Sequence, residues 1–432
     1  MVAFWCAMLG IASVFLTCDL NPPQKWVVWY LCILAAAYLI VLHEQMSHQP
    51  WLVAQNSVWE RASPHLDGRA SPVGAAVRDQ AVIALGPPLA AFLSFLIGLQ
   101  IGTDREATRT LVKVVAGAGV LYALYGIGQF VIDPTKVLWR EKPAYVTVLT
   151  ATFINRNAAG MFFGLCSFLW LAMLLDELKS RINLAKLDLD ALKDLMIRSA
   201  VPRTTLGPAL GFFVCLAALL MTGSRAAVLL SAAVISLMII MTVSRGSSKR
   251  WAGLSVVLAI AGVLLFLQLF GGRVGERFDI QGFADEGRFE TYKAALRLIW
   301  NSPWIGSGFG SFPYVFPEYR SGANSWGTWD RAHNTPLEIA AEAGIPIAAL
   351  VVSGWMLMLM WLARNVFQKS PSPLQMVFFF FSVAVSVHSL VDFPLQISGF
   401  ALPALMLVSA GFSASLNRRA RSRNEIAATT VN

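Results

Sequence analysis

Charged residues are scarce in this chain of 432 residues, where they make up 14%, whereas a soluble globular protein approaches a quarter. Hydrophobic residues make up 56% of the chain. The formal net charge of +9 does not indicate nucleic acid binding, because the cations collect between apolar runs and near the C-terminus. That placement follows the positive-inside rule. The composition excludes a soluble protein and predicts an integral membrane protein.

Signals for metals, disulfides and nucleotides are lacking as well. The five cysteines all fall in or at the edge of apolar segments, which excludes a disulfide framework or a cysteine zinc site. His43 and His48 are five residues apart instead of four, so they do not form a zinc-binding helix. The glycine-rich stretch 306–310 has no following Lys-Ser/Thr pair, and indicates a tight turn rather than a nucleotide site. We expect neither a metal nor a cofactor.

Long apolar runs are abundant. Eleven of them have the length of about 17–25 residues that crosses a bilayer as a helix. They cover residues 2–18, 26–42, 81–101, 111–132, 157–175, 206–222, 225–243, 251–270, 336–362, 374–391 and 397–416. Run 2–18 lacks a basic leader and a clear cleavage site, so we interpret it as a span rather than a signal peptide. The predicted fold is all-α, with 11 to 12 transmembrane helices in one polytopic domain over residues 1–432.

The connections between runs set the orientation. Lys and Arg collect in alternate connections, which places those on the cytoplasmic side and puts segments 43–80, 133–156 and 271–334 outside. An odd number of spans puts Met1 outside, so either one N-terminal span is missing or the first run does not cross. Residues 176–203 suit an amphipathic helix on the membrane face or a solvated linker. The long loop 271–334 is predicted to be periplasmic, partly helical and functional.

Arginines stand at the outer membrane mouth. Arg225 begins an apolar run, and an arginine within a span costs roughly 2.5–3.5 kcal/mol, so it indicates a functional site unless it snorkels to the interface. Arg156 begins another run, after an outer loop that also contains Arg140. A planar guanidinium suits the recognition of phosphate oxygens. Two outer loops with arginine at the mouth predict an anionic substrate that stays in the lipid.

Positive and negative side chains are equal in number in the long loop, so its net charge does not attract an anionic substrate. Any one of its basic residues, taken alone, is best interpreted as a solvated salt-bridge partner. Its seven basic residues are Arg273, Arg277, Arg288, Lys293, Arg297, Arg320 and Arg331, against seven acidic ones. Arg288 precedes a helical pattern that Pro303 ends. His333 closes the loop, and is either a proton acceptor near neutral pH or a hydrogen-bonded interfacial histidine.

Two carboxylate patterns near the membrane mouth leave alternatives open. Glu338 and Glu342 lie one helical turn apart, so they share a face and would either orient His333 or neutralise an arginine. His388 and Asp392 are four residues apart near the end of a late run. They form either a buried pair or a set of polar residues that pack helices together.

Taken in order, several elements resemble the O-antigen ligase and O-antigen polymerase superfamily of bacterial polytopic membrane proteins. The elements are Phe153-Ile154-Asn155-Arg156-Asn157-Ala158-Ala159-Gly160, Thr222-Gly223-Ser224-Arg225, Trp304-Ile305-Gly306-Ser307-Gly308-Phe309-Gly310, His333-Asn334-Thr335-Pro336-Leu337-Glu338, Glu342-Ala343-Gly344 and His388-Ser389-Leu390-Val391-Asp392-Phe393. They are spread in the family's order from about residue 110 to 400, which covers most of the chain, and are fairly specific only in combination. Members of the superfamily commonly have twelve spans.

The resemblance implies glycosyl transfer on the periplasmic face of the cytoplasmic, inner membrane. The donor would be a glycan on undecaprenyl diphosphate, and the acceptor a sugar of lipid A-core in a ligase. In a polymerase of O-antigen or exopolysaccharide repeat units, the acceptor would be another lipid-linked glycan. The resemblance assigns the catalytic roles to His333, Arg225 and Arg288. The expected substrate-binding residues are Arg156, Asn155, Asn157, Arg140, Arg320, Arg331, Asn334 and Glu338.

Simple chemistry agrees with this implication. A sugar diphosphate already has a good leaving group, so no nucleotide is needed; arginines would stabilise the diphosphate while His333 accepts the acceptor's proton. The loop shows no carboxylate pair for a double displacement, which predicts one displacement with inversion. The alternatives are a transporter or flippase of lipid-linked glycan and a non-catalytic assembly protein. Transport predicts charges along a path through the membrane, whereas here they gather at one face.

Overall fold

The computed structural model describes residues 20–67, 71–181, 203–244, 286–320, 329–368 and 371–430. These residues are mostly helical. The helices are α1 Pro22–Met46, α2 Val58–Ala62, α3 Gln80–Ile83, α4 Gly86–Ile101, α5 Arg105–Ile132, α6 Arg156–Arg181, α7 Arg203–Met221, α8 Arg225–Ser244, α9 Glu286–Asn301, α10 Phe312–Val315, α11 Thr335–Val366, α12 Pro373–Ser389 and α13 Ser398–Thr430. Strands β1 (Lys136–Val137) and β2 (Arg140–Glu141) form one antiparallel hairpin.

Eight candidate spans are long and apolar enough to cross a membrane, and α12 is a shorter apolar helix. The eight are α1, α3 continued by α4, α5, α6, α7, α8, α11 and the first part of α13. Nine of the predicted runs therefore coincide with helices, which confirms the all-α membrane class. Runs 2–18 and 251–270, and most of the proposed amphipathic helix 176–203, lie outside the described residues. The count of 11 to 12 spans stays a prediction.

Helix α6 is the centre of the bundle, because 78% of the residues in its most apolar 18-residue stretch are buried. Lipid tails give helices no hydrophobic reason to associate, so close packing of small residues has to hold them together. A methyl group on Gly160 would come within 2.7 Å of Ala227 Cβ, and one on Gly164 within 2.4 Å of Ser231 Oγ. Helices α6 and α8 therefore pack at short range, and both begin at the same end of the bundle.

The three segments that the sequence places outside meet at one end of the bundle, called the site end below. Gln45 donates to Ile305 O at 2.6 Å, and Ala76 N donates to Ser307 O at 2.8 Å. In the segment before α6, Leu149 N donates to Met221 O at 3.0 Å. These contacts support the common side of the three segments. The side of the membrane that they face stays a prediction.

The predicted loop helix is present as α9, and it ends at Asn301 before Pro303, as the sequence indicates. Its apolar face forms a small core with α10, the turn that follows it and the start of α11. The buried members are Ala294, Ala295, Leu298, Ile299, Phe312, Phe316, Ala332, Ala340, Ala341 and Ala348. Because this core also includes Ala332, the packing of α9 fixes the segment that leads to His333.

A seam between two glycines joins the turn after α9 to helix α11. Helix α11 is interrupted at Gly344, whose φ of 85° and ψ of 162° fall in a backbone region that essentially only glycine adopts. A Cβ on Gly344 would lie 2.2 Å from Trp304 O, and one on Gly306 would lie 2.3 Å from Glu342 C. Ile345 N donates to Pro303 O at 2.8 Å across the seam. The glycine-rich stretch 306–310 is thus a turn that docks on the break in α11.

Substituting Gly344 with alanine is expected to destabilise the protein, because the backbone strain costs about 1–3 kcal/mol and the new methyl group also meets a carbonyl oxygen. The measurement is thermal unfolding of the purified protein in detergent. Gly117→Ala is the matched control, since a Cβ at this α5 position meets nothing within 4 Å. We expect Gly117→Ala to unfold at or above the wild-type temperature. Equal melting of Gly344→Ala and wild type would contradict the seam.

Candidate functional site

His333 faces a buried carboxylate at the site end. Its Nδ1 lies 3.3 Å from Asp392 Oδ1, and the side chains of His333 and Asp392 are 23% and 3% exposed. The distance is within ion-pair range but long for a hydrogen bond, which is common in catalytic pairs without substrate. The rings of Phe393 and Trp329 meet the imidazole edge-on, at centroid distances of 4.9 and 5.5 Å. The imidazole is therefore oriented from three directions and remains partly accessible.

Asp392 is held as a carboxylate. Asn157 Nδ2 donates to its Oδ2, and Phe393 N donates to its Oδ1 at 2.9 Å. Burial acts to raise the pKa of Asp392, but His333, His388 and Arg288 outweigh it, and the pKa lies below its ordinary value. A charged carboxylate next to His333 stabilises the imidazolium that forms when His333 accepts a proton.

Asn157 connects this carboxylate to helices α6 and α8. Its Oδ1 accepts from Ser224 Oγ at 2.7 Å while its Nδ2 donates to Asp392, so one amide joins three segments. Asn155 caps α6, because its Oδ1 accepts from Asn157 N at 2.8 Å and from Ala158 N at 3.1 Å. Asn155 and Asn157, both predicted to bind substrate, thus hold the helix start and the Asp392 side chain.

Four helices begin around the segment 390–392. Asn157 at the start of α6 and Ser224 before α8 are hydrogen-bonded to each other. Arg288, in the first turn of α9, donates to Val391 O at 2.8 Å. Asn334, which caps α11, donates to Leu390 O at 2.9 Å. Each helix start has a partial positive charge of about half a unit, so the convergence favours an anion.

Three of these four helix starts also contain an arginine in their first turn: Arg156, Arg225 and Arg288. A cation at a helix start opposes the helix dipole and is locally unfavourable by about 0.3–1 kcal/mol. The same choice at three neighbouring helices concentrates positive charge where helix stability does not favour it. Departures from local preference of this kind are expected at functional sites.

Arg156 has donors available for a ligand. Its Nε and Nη1 are buried and have no hydrogen-bond partner among the residues that the structure describes. Its guanidinium carbon lies 5.2 Å from the centroid of the Tyr145 ring, which supports one face of the plane. Buried polar groups normally have hydrogen-bond partners, and a planar pair of N–H donors matches the oxygens of a phosphate.

Glu338 holds the irregular segment before His333. Its Oε1 accepts from Arg331 Nη1 at 3.0 Å, and its Oε2 accepts from Ala332 N at 2.7 Å. Burial acts to lower the pKa of Arg331, but the Glu338 carboxylate outweighs it, and the pKa lies above its ordinary value. Of the two alternatives for Glu338, pairing with an arginine is the one that the structure contains. Arg331 and Glu338 therefore position the backbone next to His333.

Glu342 serves the glycine seam instead of His333. Its two oxygens accept from Gly310 N at 2.9 Å and from Phe312 N at 3.0 Å. The carboxylate thus replaces backbone partners that the turn after α9 cannot supply. It stabilises the docking of this turn on α11.

Two predicted substrate-binding residues, Arg140 and Arg320, make no described contact with His333 or Asp392. Arg140 is exposed on strand β2. Arg320 lies with its guanidinium carbon 5.5 Å from the Phe316 ring centroid, and its Nε is buried. Within the described ranges, no hydrogen bond or ion pair joins Arg140 or Arg320 to His333 or Asp392. Their predicted contact with substrate stays a prediction.

Asp392 is the residue whose role the sequence reasoning missed. The sequence pairs it with His388, four residues earlier, whereas in the structure its carboxylate meets His333. His388 is buried beside it and helps to lower the pKa of Asp392, and the hydrogen bond between them runs from Asp392 N to His388 O at 2.9 Å. The available signal was the polar element 388–393 itself, which interrupts an apolar region. In the described part of the chain no group of three His, Cys, Asp or Glu residues is arranged to hold a metal ion.

Comparison with known proteins gives one family match. Residues 210–352 match the family model described as O-Antigen ligase. No curated protein matches the chain. The matched region extends from α7 into α11, so it contains Arg225, Arg288 and His333, whereas Asn157 and Asp392 lie outside it.

Proposed function

Since the match of residues 210–352 supports membership of the O-antigen ligase and O-antigen polymerase superfamily, we propose a specific glycosyl transfer for this chain. The donor is a glycan on undecaprenyl diphosphate, and the acceptor is a sugar hydroxyl such as one of lipid A-core. The reaction takes place at the site end, on the periplasmic face of the cytoplasmic membrane. The catalytic residues are His333, Arg225 and Arg288, and Arg156 joins them as a ligand of the diphosphate.

The observation that supports this most is the combination of a base and an anion site at one end of the bundle. His333 lies 3.3 Å from the ionised Asp392, and Asn157, which holds that carboxylate, directly follows Arg156. Arg156 has two buried N–H donors with no partner among the described residues. Transfer from a sugar diphosphate needs a base for the acceptor hydroxyl and a binding site for the anionic leaving group, held close together.

In the proposed step, His333 takes the proton of the acceptor hydroxyl as its oxygen bonds to the anomeric carbon of the donor. The bond from that carbon to the diphosphate oxygen breaks, and undecaprenyl diphosphate leaves with the electron pair. Asp392 stabilises the imidazolium, which then returns its proton to the leaving diphosphate or to water. Each proton and electron pair is accounted for without a nucleotide.

The arginines act on the leaving group. Negative charge grows on the bridging diphosphate oxygen as the glycosidic bond breaks, and donors fixed beforehand stabilise that charge without reorganisation. The starts of α6, α8, α9 and α11 add their dipoles at the same place. Two carboxylates of the site end are engaged, because Asp392 faces the imidazole and Glu338 holds Arg331. This supports a single displacement with inversion rather than a covalent glycosyl intermediate.

The test is glycan transfer in proteoliposomes that contain purified protein and an undecaprenyl-diphosphate-linked donor, without added nucleotide. Lipid A-core is the acceptor in one set of vesicles, and a second lipid-linked glycan in another. Transfer to lipid A-core establishes the ligase, whereas transfer only between donors establishes a polymerase in its place. Movement of intact donor across the bilayer, with no new glycosidic bond, would reject the enzyme in favour of a transporter.

A further inference from the structure

A cavity of about 680 Å³ lies at the site end, apart from the His333–Asp392 pair. It opens between residues 53–61 and 74–77 on one side and the segment 298–319 on the other, and is called the loop cavity here. Its volume is within the range of about 300–1,000 Å³ that is typical of small-molecule sites. None of the residues assigned above to catalysis or diphosphate binding lines it, so the transfer reaction leaves it without a role.

The walls of the loop cavity combine amide and hydroxyl groups with aromatic rings. Asn56, Asn301 and Tyr319 line it, and Asn301 Nδ2 donates to the Tyr319 hydroxyl at 2.8 Å. Trp304 and Tyr314 also line it, and Trp304 is 69% exposed although its backbone belongs to the rigid glycine seam. Amides and hydroxyls supply donors and acceptors for hydroxyl groups, while aromatic faces cover the apolar C–H surface of a ring.

The charges in the lining cancel. Arg61 Nη1 lies 2.5 Å from Glu318 Oε1, and the second nitrogen donates to Oε2 at 3.4 Å, so the two charged side chains form a forked pair. The loop cavity therefore has no excess positive charge, in contrast to the four helix starts around Asp392. This balance favours a neutral polyhydroxylated ligand over a phosphate.

The cavity walls are fixed before any ligand binds. Ala76 N donates to Ser307 O at 2.8 Å and so joins the two sides of the cavity, while Trp59 Nε1 donates to Ala75 O at 2.9 Å within one side. The seam of Gly306 and Gly344 anchors the Trp304 side to α11. A preformed site avoids much of the ordering cost of binding.

Helix α9 gives the distance from the catalytic pair. Its first turn meets Val391 beside Asp392 through Arg288, and its last residue, Asn301, lines the loop cavity. These positions are thirteen residues apart, which at about 1.5 Å per residue is roughly 20 Å. A single sugar does not cover that distance, whereas an oligosaccharide does.

We propose that the loop cavity binds the neutral oligosaccharide part of a substrate, several sugars away from the bond that is formed. The inference rests on the proposed glycan transfer. The cavity would select substrates by glycan length and hold the chain so that its reacting end reaches His333. Both the donor glycan and the acceptor glycan have this chemistry, and the experiment separates them.

The first measurement is binding without catalysis. The probe is the oligosaccharide released by mild acid from the surface polysaccharide of the cell that makes this protein, free of lipid and phosphate. Saturation-transfer NMR with the full-length protein in nanodiscs reports its binding. We expect Trp304→Ala to weaken binding about 10-fold, Trp304→Phe to restore most of it, and Trp300→Ala to change nothing. Trp300 is the matched control because it is 85% exposed and does not line the cavity.

The second measurement is transfer kinetics with donors and acceptors of one and of several repeat units. Trp304→Ala is expected to raise KM about 10-fold for the long form of one substrate, with kcat and the short form unchanged. The substrate whose KM rises is the one that occupies the cavity. Equal binding and equal KM in wild type and Trp304→Ala would overturn the inference while leaving the transfer reaction intact. Oligosaccharide binding that depends on Trp304 in a protein without transfer would uphold the cavity and reject the proposed function.

Discussion

Replacing His333 with alanine is expected to lower the rate of glycan transfer by about 10²–10⁴-fold, the usual contribution of a positioned general base. The physical reason is that the acceptor hydroxyl loses its proton acceptor, while the diphosphate site is unchanged. The effect should fall on kcat, with donor binding close to that of wild type. Single-turnover transfer in proteoliposomes, with the protein in excess over the lipid-linked donor, measures the chemical step.

Two variants sharpen this result. His65→Ala removes an exposed histidine of the site-end loop and should transfer at the wild-type rate. Asp392→Asn preserves the shape of the side chain but removes the charge that faces His333, and we expect a loss of about 10²-fold or more, in the same direction as other histidine bases deprived of their carboxylate. If His333→Ala retains wild-type transfer, the assignment of the base is wrong, whatever Asp392→Asn does.

Replacing Arg156 with lysine is expected to lower kcat by about 10²-fold even though the positive charge is retained. Loss of one fixed donor to a developing oxyanion typically has an effect of about 10²–10³-fold. Lysine is a flexible point charge and cannot present two coplanar N–H donors or stack in the same way on Tyr145. The measurements are transfer kinetics and the binding of undecaprenyl diphosphate to the purified protein.

The control for this substitution is Arg109→Lys, an exposed arginine that pairs with Glu106 at 2.9 Å near the start of α5. It should leave both transfer and lipid diphosphate binding unchanged. Thermal unfolding of Arg156→Lys should match that of wild type, because the structure shows no hydrogen bond from Nε or Nη1 to a described residue. Wild-type kinetics for Arg156→Lys would mean that its guanidinium does not contact the diphosphate.

Much of the fold was accessible from hydropathy because membrane spans are marked locally. Each of the nine described runs coincides with a helix, and α9 ends where Pro303 predicts an end. A bilayer demands continuous apolar stretches, and a proline cannot continue a helix, so neither signal depends on tertiary context. The placement of the three outer segments on one common side was predicted from charge bias alone.

The pairing of side chains was not accessible in the same way. His388 and Asp392 are four residues apart, so sequence spacing suggested a pair, but the carboxylate meets His333, 59 positions earlier in the chain. Glu338 was correctly given an arginine as one alternative, yet only the structure identifies Arg331 as that partner. Such contacts depend on how α9, α11 and α12 pack, and no local pattern encodes that packing.

The glycine-rich stretch 306–310 falls between these cases. Its glycines indicate a tight turn, and positive φ values at Gly306, Gly308 and Gly310 confirm it. That the turn docks against the break at Gly344 required the structure, because Gly306 and Gly344 are each needed for the close approach of a remote backbone. The same seam builds one wall of the loop cavity.

The hydrogen bond between Asn157 and Asp392 joins residues 235 positions apart, so it forms only late in the synthesis of the chain. Ribosomes add about 5–20 residues per second, so roughly ten to fifty seconds separate the appearance of these two side chains. During most of that interval, a nascent chain has α6 and Arg156 but lacks the carboxylate that faces His333. Under the proposed function, an unfinished chain therefore lacks its complete site, and we expect transfer to begin only when the last helices have been inserted.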